Sequence, residues 1–144
     1  MMELPYAEDV NYWKTGTSSP DSWIERAKKQ VEDLGGKILM EAFGKDATER
    51  SAYMLAFEIG GDRFKVIWPV LPSKSGNEKA ARIQAATMLY HDIKARCLTA
   101  IVMGSRSAFF SYLLLPDGRV ATQADDDEIA GLFSVRLLGK GGER

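Results

Sequence analysis

The chain of 144 residues is 45% hydrophobic and 27% charged, which fits a globular protein with its own core and excludes an intrinsically disordered chain. Its net charge of −1 excludes the overall basic excess that is usual in dedicated nucleic-acid-binding domains, so any phosphate-binding surface must be local. The single cysteine, Cys97, excludes an intrachain disulfide and predicts a buried thiol, and no apolar run reaches the roughly 20 residues that a membrane-spanning helix needs.

We expect one cytoplasmic domain over residues 1–144, since the first residues lack the basic and then apolar pattern of a signal peptide. Residues 1–18 are predicted to form an irregular N-terminal arm. A helix then begins at Ser19, a favoured N-cap residue, with Pro20 at its first position, and it ends at Gly35 and Gly36. Its apolar face comprises Trp23, Ile24, Ala27, Val31 and Leu34.

A strand at 37–43 and a β-hairpin follow. Apolar side chains alternate along both hairpin strands, as expected for strands with one buried face. Gly61 and Asp62 suit a two-residue turn with glycine first. This turn predicts three cross-strand pairs: Ile59 with Phe64, Phe57 with Val66, and Glu58 with Lys65.

The second half of the chain is predicted to contain a helix at 77–96, followed by strands at 99–103, 109–115 and 119–122. A short helix at 125–138 and a flexible end at 139–144 complete the expected elements. The order is then α-β-β-β-α-β-β(-β)-α. It indicates an α+β domain, with a mostly antiparallel sheet and two long helices packed on one face.

The start of the second helix is the strongest candidate for a binding site. A polar loop that contains glycine leads into it, and a helix N-terminus presents free N–H groups and a partial positive charge. Lys74 lies in the loop, and Lys79 and Arg82 lie in the first turns. With Lys45 or Arg50 from the facing loop, these residues predict a site for nucleic-acid phosphates.

Residues from about 20 to 94 resemble a double-stranded-RNA-binding domain, in their α-β-β-β-α order and in one motif. The family's second helix begins lysine-lysine-any-alanine-lysine, and two alanines follow after two further residues. Here the corresponding residues are Glu78-Lys79-Ala80-Ala81-Arg82-Ile83-Gln84-Ala85-Ala86. Lys79 and Arg82 match two of the basic positions, and Glu78 occupies the first. The resemblance implies that these basic residues straddle the phosphates of the RNA major groove.

Two alternatives remain open. The element order also resembles the core of restriction-endonuclease-like nucleases, in which Glu58 and Lys65 would belong to the metal site of an active or degenerate enzyme, although Arg63 stands where the metal-binding glutamate is expected. Alternatively, the strand at 109–115, which is apolar on both faces, predicts a homodimer interface. His91, the only histidine, is predicted to lie at the surface. We predict no catalytic residue, metal ion or cofactor.

Overall fold

The computed structural model describes residues 4–16, 18–46, 48–115 and 118–120 and confirms the α+β class. A three-stranded antiparallel sheet in the order β1-β2-β3 packs against two long helices. No helix in these ranges is long and apolar enough to span a membrane. The elements are α1 (Pro20–Asp33), β1 (Lys37–Lys45), β2 (Ser51–Ile59), β3 (Asp62–Pro69), α2 (Glu78–Met103) and two 3-10 helices (Ala7–Asp9 and Arg106–Tyr112).

Helix α1 begins as its sequence predicts. The Ser19 hydroxyl accepts a hydrogen bond from the N–H of Ser22 at 3.2 Å, and Pro20 occupies the first turn. At the other end, Gly36 lies so close to Val31 that a Cβ atom at this position would be 2.6 Å from a Val31 methyl carbon. Only glycine therefore allows the chain to turn from α1 into β1 at this distance.

The hairpin between β2 and β3 has the predicted faces but a different register. Phe57 pairs with Phe64, Leu55 with Val66, and Glu58 with Arg63, so the pairing is shifted by two residues from the predicted one. The turn residues are Gly60 and Gly61, with φ angles of +59° and +86°. Positive φ at both positions is what a type I′ hairpin turn requires, and glycine adopts it without strain.

The core lies between the helices and one face of the sheet. Phe57 and Phe64 contact Phe109 of the second 3-10 helix, with ring centroids 5.5 and 5.8 Å apart respectively. All three rings are almost fully buried. The other buried core residues come from α1, the sheet, α2 and the segment after it, and they include Ile24, Val31, Leu55, Val66, Leu89, Ile93 and Cys97.

The strand predicted at 99–103 is wrong, because α2 continues to Met103. The helix ends at Gly104, which adopts a left-handed conformation with φ +64° and donates its N–H to the carbonyl of Ala100. The strand preference of β-branched residues such as Val102 is small and depends on context. Here the continuing helical hydrogen bonds of α2 outweigh it. In the last two turns Leu98 and Val102 are 61% and 72% exposed.

The strand predicted at 109–115 is also wrong. Residues Arg106–Tyr112 form a 3-10 helix that packs between α2 and β3, and the chain then makes isolated bridges from Leu113 to Phe64 and from Leu114 to Val120. Its buried side chains are Phe109, Phe110, Tyr112 and Leu113. They fill the protein's own core, so they do not provide the exposed apolar face on which the dimer hypothesis depended. The homodimer itself stays a prediction.

Two side chains of α2 hold this 3-10 helix. The Asp92 carboxylate accepts hydrogen bonds from the Tyr112 hydroxyl and from Nε of Arg96, the latter at 2.9 Å. Arg96 also donates to the carbonyl of Ala108 at 2.6 Å. At its start, Arg106 pairs with the buried Asp62 at 2.7 Å. The remaining predicted elements, the last part of 119–122, the helix at 125–138 and the end at 139–144, lie outside the described residues.

We expect Tyr112→Phe to lower the free energy of unfolding by about 1.5–3 kcal/mol, because it removes a hydrogen bond to a charged, half-buried carboxylate. Urea denaturation measures this change. Tyr90→Phe is the matched control, because the Tyr90 hydroxyl makes no hydrogen bond within the described residues, and its effect should stay within about 0.5 kcal/mol. Equal effects of the two substitutions would contradict the role given to Tyr112.

Candidate anion-binding site at the start of α2

The loop before α2 is built around side-chain hydrogen bonds. Asn77 is the N-cap, and its side-chain oxygen accepts from the N–H of Ala80 at 3.1 Å. The Ser73 hydroxyl accepts from the N–H of Asn77 at 3.1 Å. Gly76 has a φ of +74°, which allows the loop to turn into the helix. These contacts leave the backbone N–H groups of Lys74 and Ser75 available to an anion.

A carboxylate of the same chain occupies this position. Glu8 accepts hydrogen bonds from the N–H groups of Lys74 and Ser75, at 2.9 and 3.1 Å. It also accepts from the hydroxyls of Ser73 and Ser75, at 2.7 and 2.9 Å. In the structure the anionic group at this loop is therefore a carboxylate of the N-terminal arm.

These hydrogen bonds stabilise the charged form of Glu8. Partial burial acts in the opposite direction, but the bonds from Ser73, Lys74 and Ser75 outweigh it and lower the pKa of Glu8 from 4.5 to about 2. The Glu8 carboxylate is thus ionised over the whole pH range in which most proteins are folded.

Lys74, one of the predicted phosphate-binding residues, is directed toward the arm. Its ammonium group forms an ion pair with Asp9 at 3.0 Å and lies 5.4 Å from the centre of the Tyr6 ring. Both partners are about 65 residues away in the sequence, and no local pattern identifies them. In the structure the Lys74 ammonium is therefore already engaged by side chains of the N-terminal arm.

Gln84 of α2 fixes the arm in place. Its side-chain nitrogen donates to the backbone carbonyls of Ala7, Val10 and Asn11, at 2.8, 3.2 and 3.0 Å. The N–H of Ala7 donates to the carbonyl of Pro72 at 2.8 Å. Ala7 and Gln84 are completely buried. Sequence reasoning missed both Glu8 and Gln84; the one available signal was a polar residue beside the buried alanines of the α2 motif.

Lys79 and Arg82 lie together at the start of α2, as their spacing of three residues requires. They line a recess of about 380 Å³ with Pro20, Asp21 and Glu78. The Arg82 guanidinium lies 4.2 Å from the centre of the Phe43 ring, and its Nε donates to the Tyr53 hydroxyl at 3.4 Å. The ring contact fixes the direction of Arg82. Within the described residues, no hydrogen bond or ion pair engages the Lys79 ammonium.

Lys45 and Arg50 line a second, larger recess of about 670 Å³. They flank the connection between β1 and β2, which Asp46 organises by accepting hydrogen bonds from the N–H groups of Thr48 and Arg50 and from the Thr48 hydroxyl. Partial burial opposes ionisation of Asp46, but these bonds prevail and lower its pKa. Glu78 lines both recesses, so the two are neighbours.

The electrostatic character of this surface is mixed. Its basic side chains are Lys45, Arg50, Lys79 and Arg82, and its acidic ones are Asp21, Glu49 and Glu78. The excess of positive charge is therefore small, in keeping with the net charge of the chain. Phosphate contacts made here must compete with repulsion from neighbouring carboxylates.

The other candidate residues are engaged in packing or strand pairing. His91 was predicted to lie at the surface, but it is half-buried, because its ring stacks on Tyr12 with centroids 4.8 Å apart. Cys97 is buried as predicted, and burial raises the pKa of its thiol to about 11. Glu58 is paired with Arg63, not with Lys65. Among the described residues, no group of three or more histidine, cysteine, aspartate or glutamate side chains could hold a metal ion.

The chain matches no protein-family model, no curated protein and no solved structure at a significant level. The function proposed below therefore relies on the sequence and the geometry of this chain.

The contact between Glu8 and the loop predicts a specific dependence of stability on pH. The pKa of Glu8 is lower in the folded than in the unfolded chain, so its contribution is complete above about pH 4.5 and is lost as the pH falls toward 2. We expect Glu8→Gln to lower the denaturation midpoint at pH 7 and to have a much smaller effect near pH 2.

The same substitution in a Ser75→Ala background serves as a control for this prediction. Because Ser75 supplies a hydroxyl to the Glu8 carboxylate, the effect of Glu8→Gln at pH 7 should be smaller in that background. A difference between wild type and Glu8→Gln that is constant from pH 7 to pH 2 would show that the charge of Glu8 is not involved.

Proposed function

We propose that this protein is a non-catalytic nucleic-acid-binding module that holds the phosphates of a duplex at the start of α2. Double-stranded RNA is the first candidate for this duplex. Lys79 and Arg82 contact the phosphates from the helix, and Lys45 and Arg50 contact them from the facing connection. The bases are not read, because base recognition requires side chains that enter a groove, whereas this surface offers charges for the backbone.

One observation carries the proposal: basic side chains from separate segments converge on adjoining recesses. Lys45 ends β1, Arg50 precedes β2, and Lys79 and Arg82 belong to α2. A single small anion can contact only one or two of these groups. A polyanion with regularly spaced phosphates can engage all of them together, which favours a nucleic acid over a small ligand.

The resemblance to double-stranded-RNA-binding domains supports the same assignment. In this α-β-β-β-α chain the connection between β1 and β2 lies beside the start of α2. Glu78 lines both the recess beside this connection and the recess beside Lys79 and Arg82. Because the positive excess is small, we expect weak, salt-dependent binding with a Kd of about 10⁻⁴ M at physiological salt, the weak end of the range for non-specific binders, and tighter binding at low salt.

Charge reversal in the site should remove binding. We expect Lys79→Glu combined with Arg82→Glu to weaken duplex RNA binding at least about ten-fold and to lower the salt-dependence slope by about 1.4–1.8, the value for two phosphate contacts. Fluorescence anisotropy at two salt concentrations measures both quantities. Because Arg82 packs on Phe43, Lys45→Glu combined with Arg50→Glu provides a second test at two exposed positions.

Arg63→Glu with Lys65→Glu is the matched control. It reverses one arginine and one lysine on the sheet face opposite the helices, since Phe64 and Val66 between and beside them point into the core. Its affinity should equal that of the wild type. If the control pair reduces binding as much as the Lys79 and Arg82 pair does, binding depends only on the overall charge and the site is wrongly placed. If wild type binds no duplex at low salt, the proposed function is wrong.

Removing the acidic residue at the first helical position should strengthen binding. Glu78 lines both recesses, and its carboxylate repels a phosphate in either one. We expect Glu78→Gln to increase duplex affinity about three-fold, the effect of a single exposed charge. Glu32→Gln, an exposed position in the last turn of α1, removes the same charge elsewhere and should leave the affinity unchanged.

A further inference from the structure

We propose that the loop 73–76 is a binding site for a phosphate group, and that the N-terminal arm (residues 4–16) is its built-in competitor, with the Glu8 carboxylate in the position that the phosphate would take. The role of the arm as a regulator of nucleic-acid binding rests on the proposed function. The anion site itself does not, because it follows from the contacts of Glu8.

The contacts of Glu8 have the composition of an oxyanion site. Two backbone N–H groups and two hydroxyls point at one carboxylate, and three of these four donors meet at the same oxygen, Oε2. Backbone N–H groups in a loop and the start of a helix form concave sites that bind phosphates in many proteins. The donors here are already oriented toward an anion, as a phosphate site requires.

The arm is tethered independently of Glu8. Gln84 binds the arm carbonyls of Ala7, Val10 and Asn11, and Ala7 is buried against Leu71 and Ala81. These contacts hold Glu8 at the loop, which gives its carboxylate a high effective concentration. An external phosphate must displace a tethered competitor, so the wild-type loop is closed to weakly bound anions.

The arm also masks a cation. Asp9, the residue after Glu8, pairs with the Lys74 ammonium at 3.0 Å. Glu8 and Asp9 thus cover both the N–H donors of the loop and its basic side chain. The loop leads directly into the helix that carries Lys79 and Arg82, so a phosphate in the loop would extend the proposed nucleic-acid surface toward the arm.

Glu8→Ala tests the anion site without nucleic acid. It vacates the site while Gln84 continues to hold the arm, so the fold should persist and the NMR signals of the Tyr12–His91 stack should not move. The probe is inorganic phosphate at constant ionic strength. We expect saturable shifts of the Lys74 and Ser75 amide signals in Glu8→Ala and none in the wild type.

Glu8→Ala with Ser75→Ala is the control variant, because it removes a hydroxyl that points into the vacated site, and it should bind phosphate more weakly. The absence of saturable shifts in Glu8→Ala overturns the anion site. Equal shifts in wild type and Glu8→Ala overturn the competition, since Glu8 would then not exclude phosphate.

Duplex RNA binding tests the regulatory part. We expect Glu8→Ala with Asp9→Asn to raise the affinity about ten-fold and the salt-dependence slope by about 0.7–0.9 for each added phosphate contact. Phosphate binding with unchanged RNA affinity overturns the regulation alone. If neither wild type nor variant binds RNA, the proposed function and this regulation fail together, whereas the phosphate titration still decides the anion site.

Discussion

Small side chains on α2 set the distance between this helix and everything around it. Ala85 and Ala86 belong to the main core, and Ala81 packs in another direction, against Ala7 and Leu71. An alanine presents only one methyl group, so a neighbouring backbone can come close without leaving a void. As a result one helix contacts the sheet, α1, the second 3-10 helix and the N-terminal arm, and the rest of the fold is organised around it.

Close contact with a helix creates a hydrogen-bonding problem for irregular segments. The N–H and C=O groups in the middle of a helix are used within it, so they cannot pair with a neighbouring backbone. Here polar side chains of α2 supply the missing partners. Gln84 donates to carbonyls of the arm, and Arg96 and Asp92 bind the 3-10 helix. Buried Gln84 and the partly buried Asp92 and Arg96 therefore hold two segments that lie outside the sheet and the long helices.

The sequence was sufficient for features with local causes. The cap at Ser19, the helical pattern of α1 and the alternation in the hairpin each depend on residues close in the chain. The predicted register is wrong because the turn comprises Gly60 and Gly61 in place of Gly61 and Asp62, and the alternation does not reveal the error, since a shift of two residues keeps every side chain on its own face. The segment at 109–115 was misassigned because burial on all sides produces the same apolar run in a strand and in a buried 3-10 helix. The site was predicted only in part, since the partners of Lys74 lie far away in the chain.

The separation between the arm and its partners has a consequence for how the protein is made. Glu8 and Ala7 find their partners 65 to 77 residues further along the chain. During synthesis the arm emerges before β1, whereas the loop that binds Glu8 and the Gln84 side chain that binds Ala7 are translated only later. At about 5–20 residues per second this interval lasts several seconds. A ribosome-bound chain thus passes through a stage in which the acidic arm is present without its loop, and the arm cannot make its observed contacts until residue 84 has been synthesised.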